Sequence, residues 1–270
     1  MNPWKLRRSC TTSANIFAGT DGGSMKKNII FYALIGIFLG IVIVRAFSNS
    51  YNITALKACK SLKEKYGEGF VALNAEATSD KDIIKIYARP IENGNVVFTV
   101  LADGKGNIQD DYVSRLVLTG IRDSITGAAG DCGMESTASI YLESERTVIE
   151  ESDKTIMPNS FFDKYEVSSV AVSLIYDKDS FKLEEVIPAL EKSCKGYARR
   201  IDVMGYVISH DEYEKCKQQL AKTPAMSNAD IENLACESKF YTYIVGGESA
   251  LTTDVLKSII NSSRNGSSKE

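Results

Sequence analysis

The alternation of apolar and polar positions divides the chain into one long apolar segment and a series of shorter periodic ones. No residue from Ile29 to Val44 is charged, and nearly all are Ile, Leu, Val or Phe. With its uncharged neighbours the segment reaches the roughly 20 residues that a helix needs to cross a bilayer. A buried helix of a soluble core keeps a polar face, and this segment has none. The pattern therefore predicts a transmembrane signal-anchor over residues 28–48.

The same segment can also be interpreted as a cleaved secretory signal, because Ala46-Phe47-Ser48 has the small-x-small form of a cleavage site. Its apolar run slightly exceeds the usual length of such signals, which favours the uncleaved anchor. The short basic leader formed by Lys26 and Lys27 favours export of the domain that follows. We therefore expect a single-pass protein of the cell membrane with an extracytoplasmic body. A cytoplasmic body is the alternative.

Residues 1–24 differ from this leader, since they are polar and hold the only tryptophan, Trp4. Met25-Lys26-Lys27 begins an ordinary bacterial signal, with a basic region before an apolar one. The residues Asp-Gly-Gly-Ser just before Met25 are also what a purine-rich ribosome-binding site gives when translated in frame. The hypothesis is that synthesis starts at Met25. The alternative is a short disordered cytoplasmic tail over residues 1–24.

Helix and strand patterns follow one another in residues 50–130. Apolar positions at helical spacing come first, followed by three segments rich in Val, Ile, Phe and Tyr. Asn93-Gly94, between the second and third of these segments, is a strong hairpin signal. A second helix is predicted from about Asp110. This part of the chain therefore reads as a helix and β-meander module.

Longer strand candidates alternate with helical patterns in residues 136–262, which predicts a mixed α/β module with a partly parallel sheet. Pro188 is expected in the first turn of its helix, where its missing N–H does no harm. The small, polar residues 263–270 predict a disordered tail. The predicted fold class is α+β, with an N-terminal transmembrane helix, a helix plus β-meander module and then the mixed α/β module.

One segment resembles a known group of proteins. The sequence FTVLADGKGNIQDDY, Phe98 to Tyr112, is similar to a stretch of uncharacterised membrane-anchored or exported proteins of Gram-positive bacteria. In those proteins, too, a basic hydrophobic leader precedes a small helix-plus-meander module that resembles PepSY domains. The resemblance extends over roughly residues 25–125. It implies a location and a type of module, and it implies no catalytic residues.

The distribution of charge argues against two classes of partner. Residues 1–48 hold six of the 32 Lys and Arg and one of the 35 Asp and Glu, which leaves the body with 26 positive and 34 negative side chains, a net charge of −8. Nucleic acid and anionic membrane surfaces both require a cluster of basic residues, and none is visible along the body. We expect no nucleic-acid partner, and we expect contact with membrane lipid only through residues 28–48.

Six cysteines are present, at positions 10, 59, 132, 194, 216 and 236. Cys59, Cys194 and Cys216 fall on the apolar faces of predicted helices, which is typical of buried structural cysteines. Outside the cytoplasm, Cys194 and Cys216 lie on helices that flank one strand and are the first expectation for a disulfide, although the sequence alone does not set connectivity. No Cys-x-x-Cys motif occurs, so neither a thioredoxin-like site nor a zinc knuckle is indicated.

The segment Gly130-Asp131-Cys132-Gly133 resembles the nucleophile loop of chymotrypsin-like cysteine proteases, where backbone N–H groups form an oxyanion hole. A thiol nucleophile needs a base, and His210 is the only histidine. In those proteases the histidine precedes the cysteine, a second glycine stands where this chain has Met134, and a double β-barrel leaves no place for several helices. The alternative interpretation makes Cys132 a turn residue or a disulfide partner and places His210 at the start of a helix.

Other groupings of polar residues do not indicate catalysis. One histidine cannot build a His-rich metal site. Adjacent carboxylates such as Asp110 and Asp111 point apart on a helix, and we expect them to be caps or solvated residues. The glycines of residues 127–133 follow a helix, whereas a dinucleotide-binding loop follows a strand. No cofactor and no metal are expected.

The sequence is therefore best interpreted as a single-pass, membrane-anchored bacterial protein whose extracytoplasmic α+β domain is a binding module for a protein or envelope component. Gly36 and Gly40 form a G-x-x-x-G pair that lets two transmembrane helices approach closely, so a homodimer through this helix is an option. The competing hypothesis is a membrane-anchored thiol enzyme, hydrolase- or peptidase-like, with Cys132 as nucleophile and His210 as base.

Overall fold

The structure is a computed structural model that describes residues 52–80, 82–143, 149–226, 230–231, 233–234 and 236–266. Tyr51–Glu270 forms one compact unit. The leader, the start at Met25, the transmembrane segment 28–48 and the pair Gly36 and Gly40 all lie outside the described residues. Within the described ranges, no helix is both long and apolar enough to cross a membrane.

Six helices of seven or more residues occur in the described part of the chain. They are α1 (residues 52–66), α2 (Tyr112–Asp131), α3 (Pro158–Lys164), α4 (Leu183–Cys194), α5 (His210–Leu220) and α6 (Thr253–Gly266). Since α6 continues to Gly266, the first four residues of the tail that was predicted to be disordered are helical.

Nine strands of the described residues form two sheets. They are β1 (Phe70–Ala77), β2 (Ile83–Pro90), β3 (Phe98–Asp103), β4 (Ile108–Asp110), β5 (Ser136–Glu143), β6 (Ser169–Asp177), β7 (Arg200–Ile208), β8 (Cys236–Val245) and β9 (Glu248–Ser249). The first sheet has the order β1-β2-β3-β4 and is antiparallel throughout. The second has the order β5-β6-β7-β8-β9, and β6 and β7 are its parallel pair.

The first sheet packs against α1 through an aromatic cluster. Tyr66 of α1 packs against Phe70 and Tyr112, and both of those rings pack against Phe98, at centroid distances between 4.9 and 6.0 Å. These rings are buried, together with Leu62 and the inward residues of β2 and β3. Edge-to-face contacts of this kind add to the stability gained from burial alone.

The adjacent carboxylates Asp110 and Asp111 are buried, which corrects the expectation of solvated residues. Asp110 accepts hydrogen bonds from the Lys65 ammonium at 2.8 Å and from the Tyr66 hydroxyl at 2.7 Å. Asp111 accepts one from the backbone N–H of Thr99 at 2.6 Å. Burial raises the pKa of Asp111, against the opposing charge of Arg115. The two groups join α1, β3 and α2, because a buried carboxylate is stable only where donors replace its water.

The second sheet is covered by helices on one face. Residues of α2, α3, α4 and α6 form a single buried cluster with alternate residues of β5 to β8. The opposite face is covered at one end only, where Tyr213 and Cys216 of α5 pack on Ile175 and Ile208. The rest of that opposite face has no helix over it among the described elements, and it forms the site described below.

The predicted α+β class is confirmed, with a β-meander that follows α1 and with helices between the strands of the second sheet. Two details differ. The meander has a short fourth strand, β4, just before α2, and α4 begins at Leu183, so that Pro188 lies inside the helix and not in its first turn. The parallel part of the second sheet is limited to one pair of strands, because only the crossover through α4 returns the chain in the same direction.

Candidate functional site

The uncovered part of the second sheet is built from the outward-facing residues of four neighbouring strands. We call it the open face; its side chains are those of Tyr141, Glu143, Ser169, Ala171, Ser173, Arg200, Asp202, Met204, Tyr241 and Tyr243. Strand periodicity explains the set, since successive residues of a strand point to opposite faces. In β8 every second residue from Phe240 to Ile244 is buried, and Tyr241 and Tyr243 between them are exposed.

Small side chains of β6 form the floor of a groove along this face. The side chains that β6 directs toward this face are nearly inaccessible; they are Ser169, Ala171 and Ser173. Larger residues stand on both sides. On one side, Tyr141 of β5 lies opposite Ala171 of β6. On the other side, Met204 of β7 lies opposite Tyr241 of β8. The groove is open to solvent and has a volume of about 530 Å³.

Three polar groups form a connected cluster on one side of the groove. The Arg200 guanidinium donates to both Asp202 oxygens, from Nε at 2.9 and 3.1 Å and from Nη2 at 2.6 Å. Nη2 also donates to the Tyr241 hydroxyl at 2.6 Å, and that hydroxyl in turn donates to Asp202. Arg200 and Asp202 lie two residues apart on β7, so strand geometry places them side by side on the same face.

An aromatic ring contacts this cluster, and a second carboxylate lies across the groove from it. The guanidinium carbon of Arg200 lies 4.2 Å from the centroid of the Tyr243 ring, which is the geometry of a cation–π contact. On the other side of the groove, the Ser169 hydroxyl donates to Glu143 at 2.5 Å. The arginine is therefore held from two sides, by Asp202 and by the Tyr243 ring.

Ionisation at the cluster is set by these contacts. Burial opposes the charge of Asp202, but hydrogen bonds from Arg200 and Tyr241 outweigh it and hold the pKa of Asp202 below its usual range. The hydrogen bond to Asp202 raises the pKa of the Arg200 guanidinium, and the same carboxylate raises the pKa of the Tyr241 hydroxyl. At neutral pH the cluster is thus an ion pair with a neutral tyrosine, and it offers no free base.

The open face carries hydroxyl, carboxylate, guanidinium and aromatic groups. Its lining residues include neither a cysteine nor a histidine. The Ser169 hydroxyl is bonded to Glu143, and the Asp202 carboxylate is bonded to Arg200. In the described ranges, no group of three or more His, Cys, Asp and Glu side chains has the geometry to hold a metal ion.

Cys132 lies at the end of α2, where backbone hydrogen bonds occupy the loop that was compared with an oxyanion hole. The N–H groups of Cys132 and Met134 donate to Ala129 at 3.1 and 3.0 Å, and that of Gly133 donates to Gly130 at 2.8 Å. Burial raises the pKa of the Cys132 thiol, and the charge of Glu185 adds to this. A helix end of this form is a structural termination, with glycine in the left-handed conformation that favours it.

His210 is the first residue of α5, and its partner is Asp177. His210 Nδ1 lies 2.6 Å from Asp177 Oδ2, and the carboxylate is buried while the imidazole is 56% exposed. Tyr176, one residue before Asp177, packs in the cluster on the other face of the sheet, against which Cys132 also packs. Neighbouring strand residues point to opposite faces. The structure thus pairs His210 with Asp177 and packs Cys132 against the helix-covered face, and no hydrogen bond joins the two residues.

The two cysteines proposed to form a disulfide are free thiols. Cys194 of α4 is buried in the cluster of α2, α3, α4 and α6, and Cys216 of α5 is buried against the opposite face of the sheet. The two residues lie in layers on opposite faces of the sheet, and packed layers lie about 10 Å apart. Their Cα atoms are therefore farther apart than the roughly 7 Å that a disulfide allows. Burial raises the pKa of both thiols, that of Cys194 to about 11.

Sequence reasoning did not identify Arg200, Asp202, Tyr241 or Tyr243 as a site. A weak signal was present in KFYTYIVG, since alternate tyrosines in a strand predict an aromatic face. The signal does not say whether that face is covered by a helix. It also gives no indication that β7 supplies an arginine and a carboxylate to the same face.

Comparison with known proteins places the fold. The chain is similar to a DUF5037 family protein from Ruminococcus gnavus ATCC 29149, with a TM-score of 0.60 and 16% identity over 78% of this chain and 99% of that chain. The fold is shared. A DUF1672 family protein from Staphylococcus aureus subsp. aureus Mu50 also matches, at a TM-score of 0.31 and 10% identity over 74% of this chain and 90% of that chain, which is too low to support an argument.

No protein-family model and no curated protein matches the chain. The resemblance of residues 25–125 to PepSY domains therefore finds no support in those comparisons. At 16% identity the shared fold carries no information on activity.

Proposed function

We propose that the protein is a non-enzymatic binding module, anchored at the outer face of a bacterial membrane, and that its open face binds a partner protein. The observation that carries this proposal is the exposure of Tyr241 and Tyr243 beside Arg200 and Met204 on an otherwise well-covered sheet. Tyr241 is 45% exposed and Tyr243 is 39% exposed.

The composition of the open face supports a protein partner. Tyrosine, arginine and methionine are enriched in protein interfaces, and tyrosine and arginine dominate the binding energy there. The tyrosines project from paired strands, and Arg200 is already fixed by Asp202 and Tyr243. A partner would therefore bind side chains that have little rotational freedom left to lose.

The shape of the groove points in the same direction. A site for a small molecule is concave and buries most of its ligand, whereas this groove is open along the strands. A segment of a partner protein can lie along it, with its side chains against Tyr141 on one wall and Tyr241 on the other. The outer location rests on the apolar segment 28–48 and the basic residues before it.

Site-specific photo-crosslinking tests the partner. A photoreactive phenylalanine analogue replaces Tyr243 in the full chain, and in a matched control it replaces Lys60, an exposed residue of α1. We expect a crosslinked product of defined mass from position 243 that is lost in the Arg200→Ala variant, and none from position 60. Equal crosslinking at both positions would contradict the proposal. It would also be contradicted if no protein adduct formed and the purified chain bound to cell-wall glycan instead.

Protease treatment of intact cells tests the location. We expect externally added trypsin to digest the body of the full chain while a cytoplasmic marker protein stays intact. Protection of the body until the cells are lysed would place it inside the cell and would remove the outer-face part of the proposal, while leaving the crosslinking result to be judged separately.

A further inference from the structure

A second cleft brings together three cationic side chains that are far apart in the sequence. Arg89 comes from β2, Arg122 from α2 and Lys217 from α5, and the three line a cleft of about 400 Å³ with the start of β5. No aspartate or glutamate is among the described residues that line it. In a body with a net charge of −8, a cleft lined by three positive charges and no negative one is a local reversal of sign.

Two of the three cations are only weakly engaged by the protein. No hydrogen bond or ion pair joins the Arg89 side chain to another described residue. The Arg122 side chain is 22% exposed; it donates to one oxygen of the exposed Asp123 from Nε at 3.0 Å and from Nη2 at 2.9 Å, and to the Asn95 carbonyl at 3.3 Å. Lys217 pairs with the exposed Glu214 at 3.1 Å. The exposed pair of Lys217 contributes little to stability, so a ligand can compete with it, and the Arg89 guanidinium is available without competition.

A hydroxyl donor at the base of the cleft also lacks a partner. The Ser136 side-chain oxygen is shielded from solvent and makes no hydrogen bond to any described residue. Ser136 and Thr137 begin β5 and line the cleft beside Thr126 of α2. A buried hydroxyl without a partner costs stability, and a bound acceptor would remove that cost.

We infer that this cleft binds a phosphate group. A tetrahedral phosphate accepts hydrogen bonds in several directions, which matches donors that come from β2, α2, α5 and β5 around one cavity. Two of the three cations are arginines, whose planar guanidinium groups donate in pairs to phosphate oxygens. The cleft is larger than one phosphate, so the group is expected to be carried by an organic molecule or by a lipid headgroup.

Titration calorimetry on the full chain in phosphatidylcholine nanodiscs tests the inference, with glycerol 3-phosphate as probe and chloride at equal ionic strength as reference. We expect saturable binding that weakens by about tenfold in Arg89→Gln. The matched control is Lys105→Gln, which removes one positive charge from an exposed turn away from the cleft. We expect Ser136→Ala to weaken binding without lowering the melting temperature, because its hydroxyl has no partner to lose.

The two sources of phosphate are separated by the lipid. If nanodiscs that contain phosphatidylglycerol weaken the binding of glycerol 3-phosphate, the headgroup occupies the cleft. If they do not, the ligand is a soluble phosphate. Binding no stronger than the chloride reference would overturn the inference, as would binding that Arg89→Gln and Lys105→Gln weaken equally. Neither result would bear on the open face.

Discussion

At the scale of single residues, the pair His210 and Asp177 sets two effects against each other. His210 begins α5, and the start of a helix disfavours a positive charge. The hydrogen bond and the charge of Asp177, 2.6 Å away, favour it. The second effect is the larger, and the pKa of His210 is raised above its usual value of about 6.5. Burial opposes the charge of Asp177, but the hydrogen bonds from His210 and from the Asp179 N–H, together with the charge of His210, outweigh it and lower the pKa of Asp177.

We predict that NMR titration will show this shift directly, since the chain has a single histidine and its ring resonances need no assignment. The pKa of His210 should lie above about 6.5 and fall in Asp177→Asn, while Glu214→Gln should change it less. A wild-type pKa at or below the usual value would show that Asp177 does not stabilise the protonated form of His210.

The same pair predicts how stability depends on pH. Because the pKa of His210 is higher in the folded chain than in the unfolded chain, its contribution is complete below about pH 6.5 and is lost as pH rises through the folded pKa. The difference in free energy of unfolding between the wild type and His210→Gln should therefore shrink as pH rises from about 6 to about 8.5. Urea unfolding at both pH values measures it, and a difference that grows with pH would contradict the pairing.

Cys132 provides a third prediction at this scale. Because burial and Glu185 raise the pKa of its thiol, little thiolate is present at neutral pH. Iodoacetamide should alkylate Cys132 no faster than it alkylates a free cysteine derivative, as measured by peptide mass spectrometry over time. Glu185→Gln should increase the rate, because it removes a nearby negative charge. Alkylation of the wild type well above the reference rate would revive the thiol-enzyme hypothesis.

At the scale of elements, local patterns were sufficient where one segment determines its own structure. The periodicity around Tyr112 and Ile121 predicted α2, and Asn93-Gly94 marked the turn between β2 and β3. The start of α4 was not predicted, because Leu183 to Ile187 fit a strand as well as a helix until α2 packs against them. The open face was missed for a related reason, since it depends on where α5 ends its coverage of the sheet.

A close contact between two strands gives the prediction at the element scale. Gly205 of β7 pairs with Phe240 of β8, and a Cβ on Gly205 would lie 2.1 Å from the buried Phe240 ring. Gly205→Ala should lower the free energy of unfolding by about 2–3 kcal/mol through overpacking. The matched control is Gly120→Ala in α2, where the added methyl meets nothing within 4 Å.

Because alanine is a better helix former than glycine, Gly120→Ala should raise the free energy of unfolding by about 0.5–1 kcal/mol. Urea denaturation followed by circular dichroism measures both variants. If Gly205→Ala were as stable as the wild type, the packing of Phe240 on the glycine would have to be different from that described.

At the scale of the whole molecule, α2 belongs to both buried cores. Tyr112 and Val113 of its first turn lie in the aromatic cluster of the first sheet, and its residues from Val117 to Ala129 lie in the cluster of the second sheet. A helix shared in this way connects the stability of the two sheets, because neither core can be lost without exposing part of α2.

We therefore predict a single cooperative unfolding transition for the body. Phe98→Leu in the first core and Phe161→Leu in the second should each lower the free energy of unfolding by about 1–2 kcal/mol. Circular dichroism and tyrosine fluorescence should report the same urea midpoint in each variant. Two separate transitions, with each substitution moving only one, would show that the sheets unfold independently.

The order of the strands has a consequence for how the chain is made. In both sheets the strands are arranged in space in the order in which they occur along the sequence. After the first strand of each sheet, every later strand adds to an edge that already exists, and none must be inserted between two joined neighbours. Whether the polypeptide emerges from a ribosome or from a translocon, each new strand can pair with one that is already in place, so assembly can keep pace with synthesis.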